Sequence, residues 1–148
     1  MRSRNTNFLQ VTIILTGLIF IAVGIVFYIS PVAFGWIFSI DVNEDWLKEI
    51  PKDSFLSSLY FLMRGFSALL FVMGVAMVMP LFDPVRYRGL IYYTGILFPA
   101  LASFILVKNG IALGHSTLML FGFIFAVLLV MTVIGLLITR KEAQSSAK

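Results

Sequence analysis

The chain has no cysteine and a single histidine in 148 residues. The first absence excludes disulfides, thiolate metal sites, thiol redox chemistry and a lipid anchor on cysteine. The second leaves His115 as the sole imidazole. It sits in a short turn after Lys108, Asn109 and Gly110, with no carboxylate beside it, and reads as an exposed loop residue rather than a metal ligand or general base. Charge is also scarce. Asp, Glu, Lys and Arg make up 12% of the chain, against a usual 25% or so. A soluble domain of this size could not hide the remaining apolar side chains from water. No nucleophile elbow, phosphate-cradling glycine loop, zinc-protease motif or paired intramembrane carboxylates can be found. Low-complexity sequence is confined to 143–148, expected to be a short disordered tail.

What fills the chain instead is apolar. Hydrophobic residues make up 60%, with 15 phenylalanines and 7 methionines, and the mean hydropathy is +1.01. The solvent these residues suit is a lipid bilayer. A membrane helix needs about 20 apolar residues, and four such runs occupy most of one 148-residue domain: 8–29, 55–79, 89–107 and 116–139. They are too uniformly apolar for surface helices and lack the alternation of barrel strands. The predicted fold is an all-α membrane protein, a four-transmembrane-helix bundle with an interfacial segment in the first loop. A basic start at Arg2 and Arg4 imitates a secretory signal, but the first run is longer than the usual 7–15 residues or so of such a signal and reads as a retained helix. Ser30-Pro31 ends it, Asp53 and Ser54 are candidate caps for the second run, and Pro80 is expected to close that run.

Four spans place the N-tail, the second loop and the C-tail on one side. These hold Arg2, Arg4, Arg86, Arg88, Arg140, Lys141 and Lys148 against Asp83 and Glu142. The other side holds Lys48, Lys52 and Lys108 against Asp41, Glu44, Asp45, Glu49 and Asp53. This bias predicts an inner or plasma membrane protein with both termini in the cytoplasm. The same scatter argues against nucleic acid despite a pI of about 9.6. The first outer loop, 30–54, begins with an aromatic stretch at 31–40. That stretch is too short to span and is expected to be interfacial or re-entrant. Trp36 and Trp46 suit the headgroup zone. Asp41 or Asn43 could cap a short acidic helix beyond it.

Arg64 is the only charge inside a span, about 13 Å along the second run from its outer end. Facing lipid unaided, it would cost about 2.5–3.5 kcal/mol on insertion scales. It therefore needs a carboxylate such as Glu49 or Asp53, backbone carbonyls, a lipid phosphate or a neighbouring subunit. It is either an anion, headgroup or partner site, or a snorkelling structural arginine. Pro99 frees the Gly95 carbonyl inside the third run. With Tyr92, Tyr93, Thr94 and Ser103 it could form a small polar pocket, although relief of helix packing is the plainer account. The tyrosines also suit an interface. Small or hydroxylated positions at Thr12, Thr16, Gly17, Gly24, Gly65, Ala68, Gly74, Gly122 and Ala126 allow close helix approach, within the bundle or against a partner.

Gly24 with Pro31, Arg64-Gly65, Gly74, and the arginines of the short turn at Arg86 and Arg88 together form a pattern. The chain resembles small uncharacterised bacterial four-helix integral membrane proteins, a resemblance that covers most of the chain and implies a four-helix fold and no reaction. The long aromatic and acidic first loop departs from it. With no catalytic constellation, the leading expectation is a non-catalytic membrane subunit or scaffold, packing against other membrane proteins or itself in the bilayer. The alternative is a binder or carrier of a lipophilic or anionic ligand (a lipid, quinone or pigment) near Arg64, with Trp36, Trp46, Pro99, Tyr92 and Tyr93 as further candidates. A lipid-modifying enzyme using Arg64, Lys108 and His115 is a third reading, lacking a clear nucleophile or base. No cofactor and no metal are indicated by sequence.

Overall fold

In lipid, every backbone N–H and C=O must find a partner in the protein, and long apolar runs without the alternation of barrel strands meet this as helices. The computed structural model describes residues 4–38, 48–83 and 86–145. It is all-α, a four-helix architecture. The elements are α1 (Arg4–Ile29), α2 (Pro31–Phe38), α3 (Ser54–Ala76), α4 (Met79–Phe82), α5 (Arg88–Leu90), a π-helical segment (Ile91–Leu97), α6 (Phe98–Leu113) and α7 (Ser116–Ser145). Four stretches are long and apolar enough to cross a membrane: Asn7–Ile29, Ser54–Phe82, Arg88–Leu113 and Ser116–Arg140. The chain is thus a multi-pass membrane protein in a lipid environment.

Hydroxyls inside these helices are satisfied by the turn below. Thr12 donates to the Phe8 carbonyl, Thr16 to Thr12, Ser67 to Met63 and Thr132 to Leu128, at 2.8–3.0 Å. Each bond removes a donor that lipid could not accept. The start of α3 is capped as the sequence predicts. Asp53 Oδ1 accepts the Phe55 N–H at 2.8 Å and the Leu56 N–H at 3.4 Å.

The elements differ from the expected runs at three places. Pro80 does not close the second span. Regular helix stops at Ala76, and Pro80 falls in the first turn of α4, where its missing N–H has no helical partner to lose. The third span runs to Leu113, beyond the expected 107, and there Gly114 adopts a left-handed φ of 68° and caps it. The last helix continues through Ser145, past the expected end at 139. Trp46, and Asp41, Asn43, Glu44 and Asp45 near it, lie outside the described residues, as do residues 146–148.

Cα packing groups the chain into two compact units, Met1–Leu18 with Ala76–Lys148, and Ile19–Val75. The first unit has a core of Leu9, Ile13, Met77, Ile91 and Leu136, with Leu81 and Ile96 packed against it. Glycines bring its backbones together. A Cβ on Gly122 would lie 2.6 Å from Val107 Cγ2, one on Gly110 2.9 Å from the Met119 nitrogen, and one on Gly135 2.9 Å from Leu9 Cδ1. Phe98 and Phe125 meet edge to face at 5.9 Å. In the second unit Gly24 of α1 takes the same role. A Cβ there would lie 2.8 Å from the Phe71 nitrogen and 2.9 Å from the Ser67 oxygen of α3. The two backbones touch at this point.

Candidate functional site

Arg64 is the one charge on α1, α2 and α3 within the unit Ile19–Val75. Arg64 stands ten residues after Ser54, about 15 Å along the helix axis at 1.5 Å per residue. Contacts on α3 step back from Phe71 and Ser67, opposite Gly24, to Arg64, opposite Tyr28. The pair of helices is therefore antiparallel, and the Arg64 side chain meets the closing turn of α1.

Two tyrosines receive the guanidinium. Its carbon lies 4.4 Å from the ring centroid of Tyr28 and 4.9 Å from that of Tyr60. Arg64 Nη2 also donates to the Tyr60 hydroxyl. Tyr60 sits one turn before Arg64 on α3, the spacing at which helical side chains meet. A desolvated cation over an aromatic face gains about 2 kcal/mol, comparable with the insertion cost of an arginine at the centre of a span, about 2.5–3.5 kcal/mol. The tyrosines thus do much of what a carboxylate would otherwise have to do. Asp53, an expected partner, uses its carboxylate on the α3 cap. Among the described residues Arg64 forms no ion pair. Its Nε is buried and has no hydrogen-bond partner.

Beside the guanidinium, further from Ser54, a half-open groove of about 300 Å³ runs between the two helices. Its walls include Gly24, Ile25 and Tyr28 of α1 and Ser67, Ala68 and Phe71 of α3. Gly24 lets the helices close at its floor, while the small Ala68 leaves its side open. The Ser67 hydroxyl is already bonded to the Met63 carbonyl. The groove therefore offers hydrocarbon, and it meets Arg64 through Tyr28. Tyr28 belongs to both, with its ring under the cation and its side along the groove.

Trp36, on α2, is 65% exposed and does not line the groove. Pro99, Tyr92 and Tyr93 belong to the other unit. There the hydroxyl-bearing side chains do not all face one way. Tyr92 and Tyr93 are exposed, at 50% and 67%, whereas Pro99 is buried. Thr94 turns inward and donates to the Leu90 carbonyl at 2.7 Å, with Met77 Sδ at 2.6 Å. The physical reason is the π-helical turn before the proline. The Phe98 N–H reaches back five residues to the Tyr93 carbonyl, a widened turn that meets the missing donor and bulky ring of Pro99 without a sharp break. Lys108 and His115 also fall in that unit, with Lys108 Nζ 6.0 Å from the Phe104 ring centroid.

These features define a class: a multi-pass, all-α membrane protein with a tyrosine-held arginine beside an apolar groove. Compared with protein-family models, curated proteins and solved structures, the chain matches none.

Proposed function

We propose that this chain is a non-catalytic integral membrane protein that binds a small lipophilic ligand with an anionic head at Arg64. The carrying observation is the unbonded, buried Nε of a guanidinium held against two tyrosines. A buried donor without an acceptor costs about 1–3 kcal/mol, more when charged. An acceptor brought by a ligand removes that cost, and the adjacent groove supplies the apolar half of an amphiphile's site. The groove's size lies at the small end of ligand pockets. Intact-complex mass spectrometry of the protein in nanodiscs made from native membrane tests this. The expected result is a constant small added mass on the wild type that is lost in Arg64→Gln. The same adduct on both proteins, or none on the wild type, refutes the reading.

A second reading, an accessory subunit packing on other membrane proteins or on itself, is favoured by one feature. Gly24, Gly95, Gly110, Gly122 and Gly135 are taken up by contacts inside the chain, but a Cβ on Gly65 would meet nothing within 4 Å. Its face of α3 is open to a neighbour of comparable smoothness. Cross-linking from position 65 in native membrane would give a defined partner band on this reading and lipid adducts alone on the first.

A further inference from the structure

We infer that the ligand of this site is a single-chain carboxylate amphiphile, a long-chain fatty acid. This rests on the reading of Arg64 as a ligand site. Three observations select the class. The first is the shape of the available cation. Nη2 is engaged with the Tyr60 hydroxyl, two tyrosine rings lie against the guanidinium, and Nε is the donor left without a partner. Nε, with the N–H of Nη2 that Tyr60 does not take, offers an edge that receives two oxygens of a carboxylate or a phosphate alike. A phosphodiester, tetrahedral and carrying two ester arms, must bring those arms against the same rings.

The second is depth. Arg64 lies about 15 Å along α3 from Ser54, and a bilayer's hydrocarbon core is about 30 Å thick. A phosphodiester stays ionised and hydrated, and drawing it below the headgroups carries a heavy desolvation cost. A carboxylic acid can enter neutral, since desolvation favours its protonated form, and ionise beside the cation. Its proton passes to interfacial water. The third is volume and direction. The groove, about 300 Å³, is lined by hydrocarbon and runs from Tyr28 toward Gly24 and Phe71, away from the Ser54 end. One acyl chain lying there points toward the middle of the span, the orientation its head at Arg64 requires. About 300 Å³ takes part of one such chain, and the rest lies along the groove's open side.

The test uses the full chain in phosphatidylcholine nanodiscs doped with one of three probes at equal mole fraction: palmitate, hexadecanol or dipalmitoyl phosphatidylglycerol. Bound probe is counted by intact-complex mass spectrometry. The wild type is expected to retain palmitate at least tenfold above either other probe. Arg64→Lys keeps the charge but loses the fork, and is expected to lose palmitate at least tenfold. Ala68→Phe fills the groove one turn beyond the arginine while keeping the guanidinium, and is expected to do the same. Preference for phosphatidylglycerol, lost in Arg64→Lys, overturns the carboxylate assignment and leaves the anion site standing. Equal retention of hexadecanol and palmitate overturns the head contact. No probe retained by the wild type above Arg64→Lys overturns both the assignment and the site. The comparison of three probes on the wild type needs no variant to fold.

Discussion

Gly24 and Gly65 show how one residue type does opposite things forty-one positions apart. At Gly24 the missing Cβ lets α1 touch the α3 backbone, with a Cβ position 2.8 Å from the Phe71 nitrogen. Backbone cannot rotate away as a side-chain end can. Gly24→Ala is therefore expected to destabilise the protein by about 1–3 kcal/mol, the usual cost of overpacking, read as a fall in thermal midpoint in detergent. At Gly65 the same substitution meets open space and gains up to about 1 kcal/mol of helix propensity. Gly65→Ala is expected to hold or raise the midpoint. Equal losses at both positions would refute the packing account. Arg64 follows a similar logic of surroundings. Its charge is tolerated because Tyr60 lies one turn away and Tyr28 lies at the end of the facing helix, and the same arrangement leaves Nε for an acceptor.

At the scale of elements, the hairpin of α6 and α7 depends on a two-residue turn. Gly114 has φ of 68°, and its N–H bonds back to the Gly110 and Ile111 carbonyls. The His115 N–H bonds to the Gly110 carbonyl at 2.9 Å. These bonds satisfy carbonyls that the helix end would leave open. A Cβ at position 114 meets no atom within 4 Å, so the constraint is the backbone angle rather than space. Gly114→Ala is expected to cost about 1–2 kcal/mol, while Gly114→Asn, which tolerates the left-handed region better, costs less. The order Gly above Asn above Ala in denaturation midpoint checks this. The π-helical turn before Pro99 is the other device of this scale. It turns Thr94 inward and leaves Tyr92 and Tyr93 outward.

For the whole molecule, the proposed orientation rests on the uneven placement of arginines and lysines, which favours both termini in the cytoplasm. A reporter fused after Lys148 is expected to be active inside and inaccessible from outside in intact cells. External labelling of that reporter would reverse the assignment, and moving Arg86 and Arg88 to the 48–52 segment should weaken it. Much of the architecture follows from the sequence alone. Long apolar runs without the alternation of barrel strands cross lipid as helices, so four spans, the Asp53 cap and the break at Ser30-Pro31 were all legible. Arg64 stood out as the only charge within the runs as read from sequence, although the third span proves to reach past Lys108, and Tyr60 could have been paired with Arg64 from their spacing of four. The sequence could not supply Tyr28, because which residue of α1 faces Arg64 depends on where two antiparallel backbones touch, and that register is set by Gly24 against Phe71. Nor could it show that Pro99 sits behind a widened turn, because a proline's missing hydrogen bond can be absorbed by a kink or by a π turn with equal local chemistry. Composition decided the solvent and the elements. Tertiary contact decided which side chains share a site, because a residue's partners are fixed by the facing helix and not by its own neighbours in the chain.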